Sequence, residues 1–134
     1  MNDAEIHILI IAEKTPRARI IKKHIEENFL QARVDIQGNE DFRIDNNAEN
    51  LVCIADLVSV QESSFRIIER IKKKLSHAKI IAMHIYRSAA LIEPLYDFGI
   101  DGYLYSEPSR EELSRAIMAV SGGEKYRPHF FSYS

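Results

Sequence analysis

Residues 98–113 constrain the fold more than any other part of the chain, because they predict three elements in one short span. Gly99 fits the left-handed position that ends a helix. Residues 102–105 are a short apolar, aromatic run typical of a strand. Ser109 and Glu112 have the spacing of a capping box ahead of another apolar helix. A helix, a strand and a helix in immediate succession indicate an α/β protein.

Three apolar runs and one alternating segment predict four further strands. Residues 5–12, 51–55 and 79–85 are almost continuously apolar, which is typical of strands buried on both faces of a parallel sheet. Residues 32–36 alternate apolar and polar side chains, so we expect an edge strand with one exposed face.

Helices are predicted between these strands. Thr15 and Pro16 suit the N-cap and first position of a helix that ends near Leu30, whereas Pro94 predicts a late start or a kink in a later helix. Residues 38–50 are crowded with Asn, Asp and Glu, and there we expect a loop or a distorted short helix. The expected inward faces are Ala18, Ile21, Ile25 and Phe29; Phe65, Ile68, Ile71 and Leu75; Leu91, Leu95 and Phe98; and Leu113, Ala116, Ile117 and Val120.

Strands thus alternate with helices five times, and crossovers between parallel strands are right-handed. This order predicts an α/β fold, a doubly wound three-layer sandwich. Its functional site is expected outside the carboxyl ends of the central strands, at the switch point. The residues placed there are Ala12, Glu13, Ala55, Asp56, Leu57, Met83, His84, Ile85, Ser106 and Glu107.

Composition favours one cytoplasmic domain. A chain of 134 residues is the size of a single domain. The acidic N-terminus lacks the order of a secretion signal, and the longest apolar run is too short to cross a membrane. The single cysteine, Cys53, suits a reducing compartment. The net charge of −2 gives no bulk attraction to nucleic acid.

The basic run at residues 66–74 is expected to be a solvated helix face, with a docking patch for an acidic partner as the alternative.

Most catalytic chemistry is missing from the sequence. No glycine-rich phosphate loop follows the first strand, no Gly-x-Ser-x-Gly motif occurs, and the histidines lack metal-ligand spacing. We therefore expect that the protein is not an enzyme and that it requires no cofactor. Glu13 and Asp56, at neighbouring strand ends, are a weak candidate pair for Mg²⁺.

The order of elements, together with Gly-Ile-Asp-Gly-Tyr-Leu at 99–104, Ser-Arg-Glu-Glu-Leu at 109–113 and Gly-Gly-Glu at 122–124, closely resembles the receiver domain of two-component response regulators. The match is closest to receivers that usually precede a helix-turn-helix output domain. The resemblance implies a flavodoxin-like sheet with strand order 2-1-3-4-5. It assigns residues 1–126 to a receiver-like domain and residues 127–134 to an aromatic tail, which could pack back on the domain, cover a dimer seam or be a linker stub.

The acidic positions of the family are only partly kept. The resemblance implies two acids after the first strand that bind Mg²⁺, and these positions are Ala12 and Glu13. It also implies a phosphoacceptor aspartate after the third strand, which is Asp56 in one register and Ala55 in the other. Side chains alternate faces along a strand, so the register decides which residue reaches the site.

The positions that hold the phosphoryl group in the family are also altered. The family's Ser/Thr falls on Ala82 or His84, and its lysine on Ser106. Tyr103 matches the aromatic residue that rotates on activation. Without the lysine, no cation balances a phosphoryl group that carries nearly two negative charges.

The sequence therefore predicts an atypical receiver in signal transduction, acting through protein–protein interaction or dimerisation with weak or absent phosphorylation. A working phosphoacceptor at Asp56, phosphorylated by a histidine kinase, is the first alternative, and a flavodoxin-like small-ligand domain is the second. The expected partner is a protein, a histidine kinase or another regulator. The resemblance implies a homodimer through the family's fourth helix, fifth strand and fifth helix. From the charge and the short apolar runs, we expect no direct contact to nucleic acid or membrane.

Overall fold

A five-stranded sheet and four helices make up the described part of the protein. The structure, a computed structural model, describes residues 6–13, 16–44 and 50–128. The elements in chain order are β1 (His7–Ile11), α1 (Pro16–Asn28), β2 (Arg33–Gln37), β3 (Leu51–Asp56), α2 (Ser64–Lys74), β4 (Lys79–His84), α3 (Ala89–Phe98), β5 (Gly102–Tyr105) and α4 (Arg110–Ser121).

The sheet is parallel throughout, with the order β2-β1-β3-β4-β5. The predicted α/β architecture and strand order are confirmed. β1 and β3 are buried along their whole length, as their apolar runs predicted, whereas β2 at one edge is largely half-buried. Among the described residues, no helix combines the length and the apolar character needed to cross a bilayer.

Two cores cover the two faces of the sheet. One packs α2 and α3 against side chains that include Ile11, Cys53 and Ala55. The other packs α1 and α4 against side chains that include Ile10, Ile54 and Met83. Successive residues of β3 therefore enter opposite cores, as the two-residue period of a strand requires. Burial also raises the pKa of the Cys53 thiol to about 12, consistent with a core side chain.

Two predicted helix faces are wrong in part. Phe65, Leu91 and Phe98 were expected inside, but between 40% and 52% of each is exposed. The neighbouring Ile67, Ile92 and Tyr96 are buried instead. Both helices carry more apolar residues than one face can hold, so spacing alone does not select the buried set. Phe65 and Phe98 pack against each other at the surface, edge to face, with ring centroids 5.1 Å apart.

The connection between β2 and β3 is a loop where the structure describes it. Residues 38–44 and residue 50 form no helix, and residues 45–49 lie outside the described part. Phe42 anchors this loop in the core, and the Lys74 ammonium lies 4.7 Å from the centre of its ring. Of the two expectations for this segment, the loop is therefore confirmed for residues 38–44, and four helices lie between the strands of the described part.

The 98–113 stretch forms as predicted. Gly99 ends α3 at a φ of 127°, and the Ser109 hydroxyl accepts a hydrogen bond from the Glu112 N–H at 3.1 Å. In a complete capping box the Glu112 carboxylate would accept from the Ser109 N–H. Here it accepts a hydrogen bond from the Tyr126 hydroxyl at 3.0 Å instead. Pro94 lies inside α3, which begins at Ala89, so the expected late start of this helix is wrong.

The basic residues of α2 are mostly exposed, as a solvated face predicts. Arg70 is the exception, because its guanidinium bonds both oxygens of Glu62, at 2.9 and 2.5 Å. These bonds lower the pKa of the Glu62 carboxyl to about 2.

Candidate functional site

Asp56 ends β3 at the carboxyl edge of the sheet and is fully buried. Its Oδ2 accepts a hydrogen bond from Nε of Arg17 at 2.9 Å, which makes the two groups an ion pair. A buried carboxylate is stable only when a positive charge or several hydrogen-bond donors compensate it. Arg17 therefore supplies the principal compensation for the charge of Asp56.

Ala55 does not reach this site. It pairs with Ile11 on one side and Ala82 on the other, and its methyl group belongs to the core beneath α2 and α3. Asp56, one residue later, instead contacts α1 through Arg17. The geometry thus places the carboxylate of Asp56, and not the methyl group of Ala55, at the edge beside α1.

Arg17 joins three parts of the chain. Besides the bond to Asp56, its Nη2 donates to the backbone carbonyl of Ser106, and its Nη1 lies 3.7 Å from Glu107 Oε2. The Arg17 side chain is only 19% exposed, whereas that of Glu107 is 84% exposed. Ser106 has a left-handed backbone with a φ of 52°. The guanidinium therefore connects α1, β3 and the turn after β5.

Sequence reasoning did not single out Arg17, although one signal was available. Arg17 lies in the first turn of α1, and this turn contains no acidic residue. A positive charge near a helix N-terminus is unfavourable because it opposes the helix dipole. An arginine in that position is therefore a candidate to pair with a negative group elsewhere in the fold, and the structure shows that Asp56 is its partner.

Half of the Asp56 carboxylate lacks a hydrogen bond. Its Oδ1 is buried, and no group in the described part of the chain bonds to it. Buried polar atoms are normally hydrogen-bonded, and an unpartnered one is costly. Arg17 therefore holds one oxygen of the carboxylate, and the other oxygen is buried without a hydrogen bond.

Neither position of the acid pair implied by the resemblance bonds to this carboxylate. Ala12 is buried in the core under α1 and α4. Glu13 is exposed, and its backbone N–H donates to the Ser59 hydroxyl, which in turn donates to the Asp56 carbonyl, both at 3.2 Å. These bonds connect the loops after β1 and β3 without using the Glu13 carboxylate.

A Mg²⁺ site does not fit these residues. In the described ranges, no group of three or more His, Cys, Asp or Glu side chains is arranged to hold a metal ion. One oxygen of Asp56 already faces the Arg17 cation, and Ala12 supplies no ligand. A divalent cation at Asp56 would have to approach a guanidinium of the same sign.

The two candidate positions on β4 differ in location. Ala82 is buried between Ala55 and Tyr103, whereas His84 lies half-buried at the strand end and stacks on Tyr86 at 4.2 Å. Nδ1 of His84 accepts from the Ile85 N–H at 2.9 Å, so the neutral ring carries its proton on Nε2. Burial lowers the pKa of His84, and the negative charge of Asp56 partly offsets this effect.

Tyr103 points into the protein. Its side chain is fully buried, and its hydroxyl donates to the Tyr86 carbonyl at 2.8 Å. Burial raises the pKa of this phenol above its usual range. Tyr103 is therefore oriented inward, with a hydrogen bond to the segment after β4.

The fold can be compared with solved structures. The isolated receiver domain of RcsB from Salmonella enterica serovar Typhimurium, in the presence of the phosphomimetic BeF3−, superposes with a TM-score of 0.76 at 21% identity, covering 96% of this chain and 97% of that one. This chain has the fold of a response-regulator receiver domain. No family model and no curated protein matches the sequence.

Two further solved structures have the same fold. The non-phosphorylated receiver domain of RcsB from Escherichia coli has a TM-score of 0.72 at 20% identity, over 92% of this chain and 98% of that one. A LuxR family DNA-binding response regulator from Silicibacter pomeroyi has a TM-score of 0.72 at 21% identity, over 96% and 99%. Against RcsB bound to the promoter P1flhDC, the chain spans 65% of the solved protein.

Proposed function

We propose that this protein is an atypical receiver domain that acts through protein–protein interaction, with phosphorylation weak or absent. The ion pair between Arg17 and the buried Asp56 carries the proposal. In the receivers that the sequence resembles, the aspartate at this strand end accepts a phosphoryl group with the help of Mg²⁺ and a lysine. Here a cation from the protein itself already neutralises that aspartate.

The electrostatics of the site support this proposal. Catalysis of phosphoryl transfer depends mainly on positioned positive charge. Ser106 stands where the lysine would be and contributes its carbonyl oxygen to Arg17. A phosphoryl group on Asp56 would bring nearly two negative charges and compete with Asp56 and Ser106 for the same guanidinium.

The inward orientation of Tyr103 supports the proposal that the domain adopts its binding conformation without phosphorylation. In the family, the corresponding aromatic residue rotates on activation. Here its phenol is fully buried and hydrogen-bonded to Tyr86. Arg17 fixes the site edge, and Tyr103 fixes the neighbouring interior, so we propose a binding surface that needs no phosphorylation to form.

The proposed partner is a protein, either a histidine kinase, another regulator or a second copy of this chain. The face implied by the resemblance consists of α3, β5 and α4, which correspond to the family's fourth helix, fifth strand and fifth helix. We propose a cytoplasmic location, no catalytic turnover, no required cofactor, and no direct binding to nucleic acid or membrane.

Phosphorylation with acetyl phosphate tests this function. The wild-type protein, Asp56→Asn and Arg17→Ala are incubated with acetyl phosphate and Mg²⁺, and their intact masses are measured. We expect no gain of a phosphoryl group by the wild-type protein. A stable gain that disappears in Asp56→Asn would refute the proposal. Arg19→Ala is the matched control, because Arg19 is an exposed arginine of the same helix.

One observation favours the alternative of a working phosphoacceptor. Asp56 Oδ1 has no hydrogen-bond partner among the described residues, so its lone pairs could attack phosphorus once this buried edge opens to a phosphodonor. In that case Arg17 would hold the phosphoryl oxygens in place of the missing lysine. Arg17→Ala would then be phosphorylated less than the wild-type protein, whereas our proposal predicts no loss because the wild-type protein has none to lose.

A further inference from the structure

Helix α2 carries a concentration of positive charge on a protein whose net charge is negative. Its eleven residues include five cations and a single acid, whereas the whole chain has a net charge of −2. The apolar face, with Ile67, Ile68 and Ile71, is buried, so the charged side chains lie on the opposite side. The field at this helix is therefore positive, although the rest of the chain is net acidic.

Three of the five cations contact other parts of the fold. Arg70 donates two hydrogen bonds to a carboxylate, and the Lys74 ammonium lies over the ring of Phe42. Lys72 reaches the end of α3, where its Nζ would be only 2.5 Å from a Cβ at Gly99. The C-terminal end of a helix favours a nearby cation, so this contact gives Lys72 a structural role.

Arg66 and Lys73 extend into solvent. Arg66 is exposed, and the side chain of Lys73 is 78% exposed. They are two helical turns apart, so they lie on the same side of α2 and are separated by about 10 Å along its axis. Arg66 helps to lower the pKa of Glu62, but that carboxylate is hydrogen-bonded to Arg70. Glu69 lies 4.0 Å from Lys73, and an exposed pair of this kind stabilises little, so a carboxylate of a partner can replace it.

An exposed aromatic pair lies beside these cations. Phe65 precedes Arg66 in the chain, and its ring packs edge to face on Phe98 at the end of α3. The two residues are 41% and 40% exposed. Exposed apolar side chains that touch each other form a patch, and such patches beside polar groups are typical of protein-binding surfaces. We call the surface formed by Phe65, Arg66, Lys73 and Phe98 the α2 ridge.

The composition of the α2 ridge favours an acidic protein segment over nucleic acid. A nucleic acid backbone is bound through many contacts between phosphates and cations, whereas the ridge presents two cations to solvent. Glu69 lies between them in the chain and would repel phosphates. The phenylalanine pair adds apolar surface that a charged backbone does not use. A segment that combines Asp or Glu with a large apolar side chain complements each of these features.

We propose that the α2 ridge is a docking surface for an acidic segment of a partner protein. Carboxylates of the segment pair with Arg66 and Lys73, and an aromatic or large aliphatic side chain packs on Phe65 and Phe98. This inference rests on the proposed function and deepens it, because it states the chemistry of the protein partner. The ridge is separate from the ion pair between Arg17 and Asp56.

Selection from a phage library of random peptides tests the chemistry of the partner. The full chain is the target, and enriched peptides are synthesised with a fluorescein label for affinity measurement by fluorescence polarisation. We expect the enriched peptides to combine a net negative charge with an aromatic or large aliphatic side chain.

Variants of the ridge test the location. In Arg66→Glu/Lys73→Glu two attractions become repulsions, so Kd for these peptides should increase at least about tenfold. Phe65→Ala removes half of the aromatic pair and should raise Kd about fivefold. Circular dichroism checks that both variants are folded. The control is Arg19→Glu/Lys23→Glu, which reverses two exposed cations of α1 and changes the net charge equally; its Kd should match that of the wild-type protein.

Each outcome decides the proposal. Weaker binding by the folded ridge variants, with binding by the control unchanged, supports it. Equal weakening in the control overturns it, because the peptides would then respond to net charge. Absence of enrichment, enrichment of neutral or basic peptides, or duplex DNA that competes at equal affinity also overturns it. Phosphorylation of Asp56 by acetyl phosphate would refute the proposed function without changing these affinities, and failed peptide binding would leave the phosphorylation result unchanged.

Discussion

Replacing Arg17 by alanine should destabilise the protein strongly, because it leaves the Asp56 carboxylate buried without a cation. Removing one partner of a buried ion pair costs about 3–5 kcal/mol. Asp56 is fully buried, whereas the Arg17 side chain is 19% exposed, so some water can reach the vacated space. We therefore expect a loss of about 2–4 kcal/mol in the free energy of unfolding. For a domain of this size that corresponds to a decrease of about 10 °C in Tm.

A double-mutant cycle separates the ion pair from simple loss of packing. In Arg17→Ala/Asp56→Asn the buried charge is gone, so most of the stability should return. We expect a coupling energy of about 2 kcal/mol between the two positions. Asp56→Asn alone should cost less than Arg17→Ala, because the Arg17 guanidinium at the rim can turn toward water.

Urea unfolding followed by circular dichroism measures all four proteins. Arg19→Ala is the control, since it removes an exposed arginine two residues away on the same helix, and it should change stability by less than about 0.5 kcal/mol. The reasoning is refuted if Arg17→Ala is as stable as this control. It is also refuted if Asp56→Asn fails to rescue Arg17→Ala, because the cost would then come from packing and not from the buried charge.

Two other perturbations test the turn at the end of α3 and the site edge. Gly99→Ala should lower the free energy of unfolding by about 1–2 kcal/mol, because residue 99 has a φ of 127° and the tip of the Lys72 side chain can move aside. Gly38→Ala is the control in thermal unfolding, since position 38 is open and has no positive φ. Equal effects of the two substitutions would contradict the argument from backbone strain. Burial lowers the pKa of His84 in the folded protein from its usual 6.5, so the unfolded protein binds a proton at this residue at a higher pH than the folded protein does. The free energy of unfolding should therefore be greatest well above pH 6.5 and fall as the pH decreases through that value. His84→Gln should show a smaller loss of the urea midpoint between about pH 7.5 and about pH 5 than the wild-type protein, and an unchanged loss would exclude His84 as a source.

Local signals in the sequence were sufficient for the elements and their order. The apolar run of β3, the glycine that ends α3 and the Ser109 cap each depend on a few neighbouring residues, and all three form as predicted. The choice of buried face failed where apolar residues were abundant. In α3, Leu91 and Ile92 are equally apolar, but only Ile92 is buried. That choice depends on the orientation of the helix against the sheet, which spacing along the chain does not specify.

The site itself was predictable only in outline. The sequence placed Asp56, His84 and Ser106 at one edge of the sheet; in the structure Asp56 ends β3, His84 ends β4, and Ser106 directly follows β5. It did not decide between Ala55 and Asp56, because a shift of one residue reverses the face of every side chain in a strand. The tertiary contacts show how the two side chains face: Asp56 bonds to Arg17 of α1, which is distant in the chain, whereas Ala55 packs beneath α2 and α3.

The sequence by itself determined the class of fold, since alternating buried strands and amphipathic helices permit few other arrangements. The resemblance to receivers also implies which of the family's side chains are absent, because this comparison needs only the identity of each residue. Only the tertiary structure showed that Arg17 pairs with Asp56 and that Tyr126 pairs with Gly102. Arg17 and Asp56 are 39 residues apart in the chain, and Tyr126 and Gly102 lie 24 apart. Such pairs meet because the sheet brings distant segments to one edge, and no local pattern encodes that proximity.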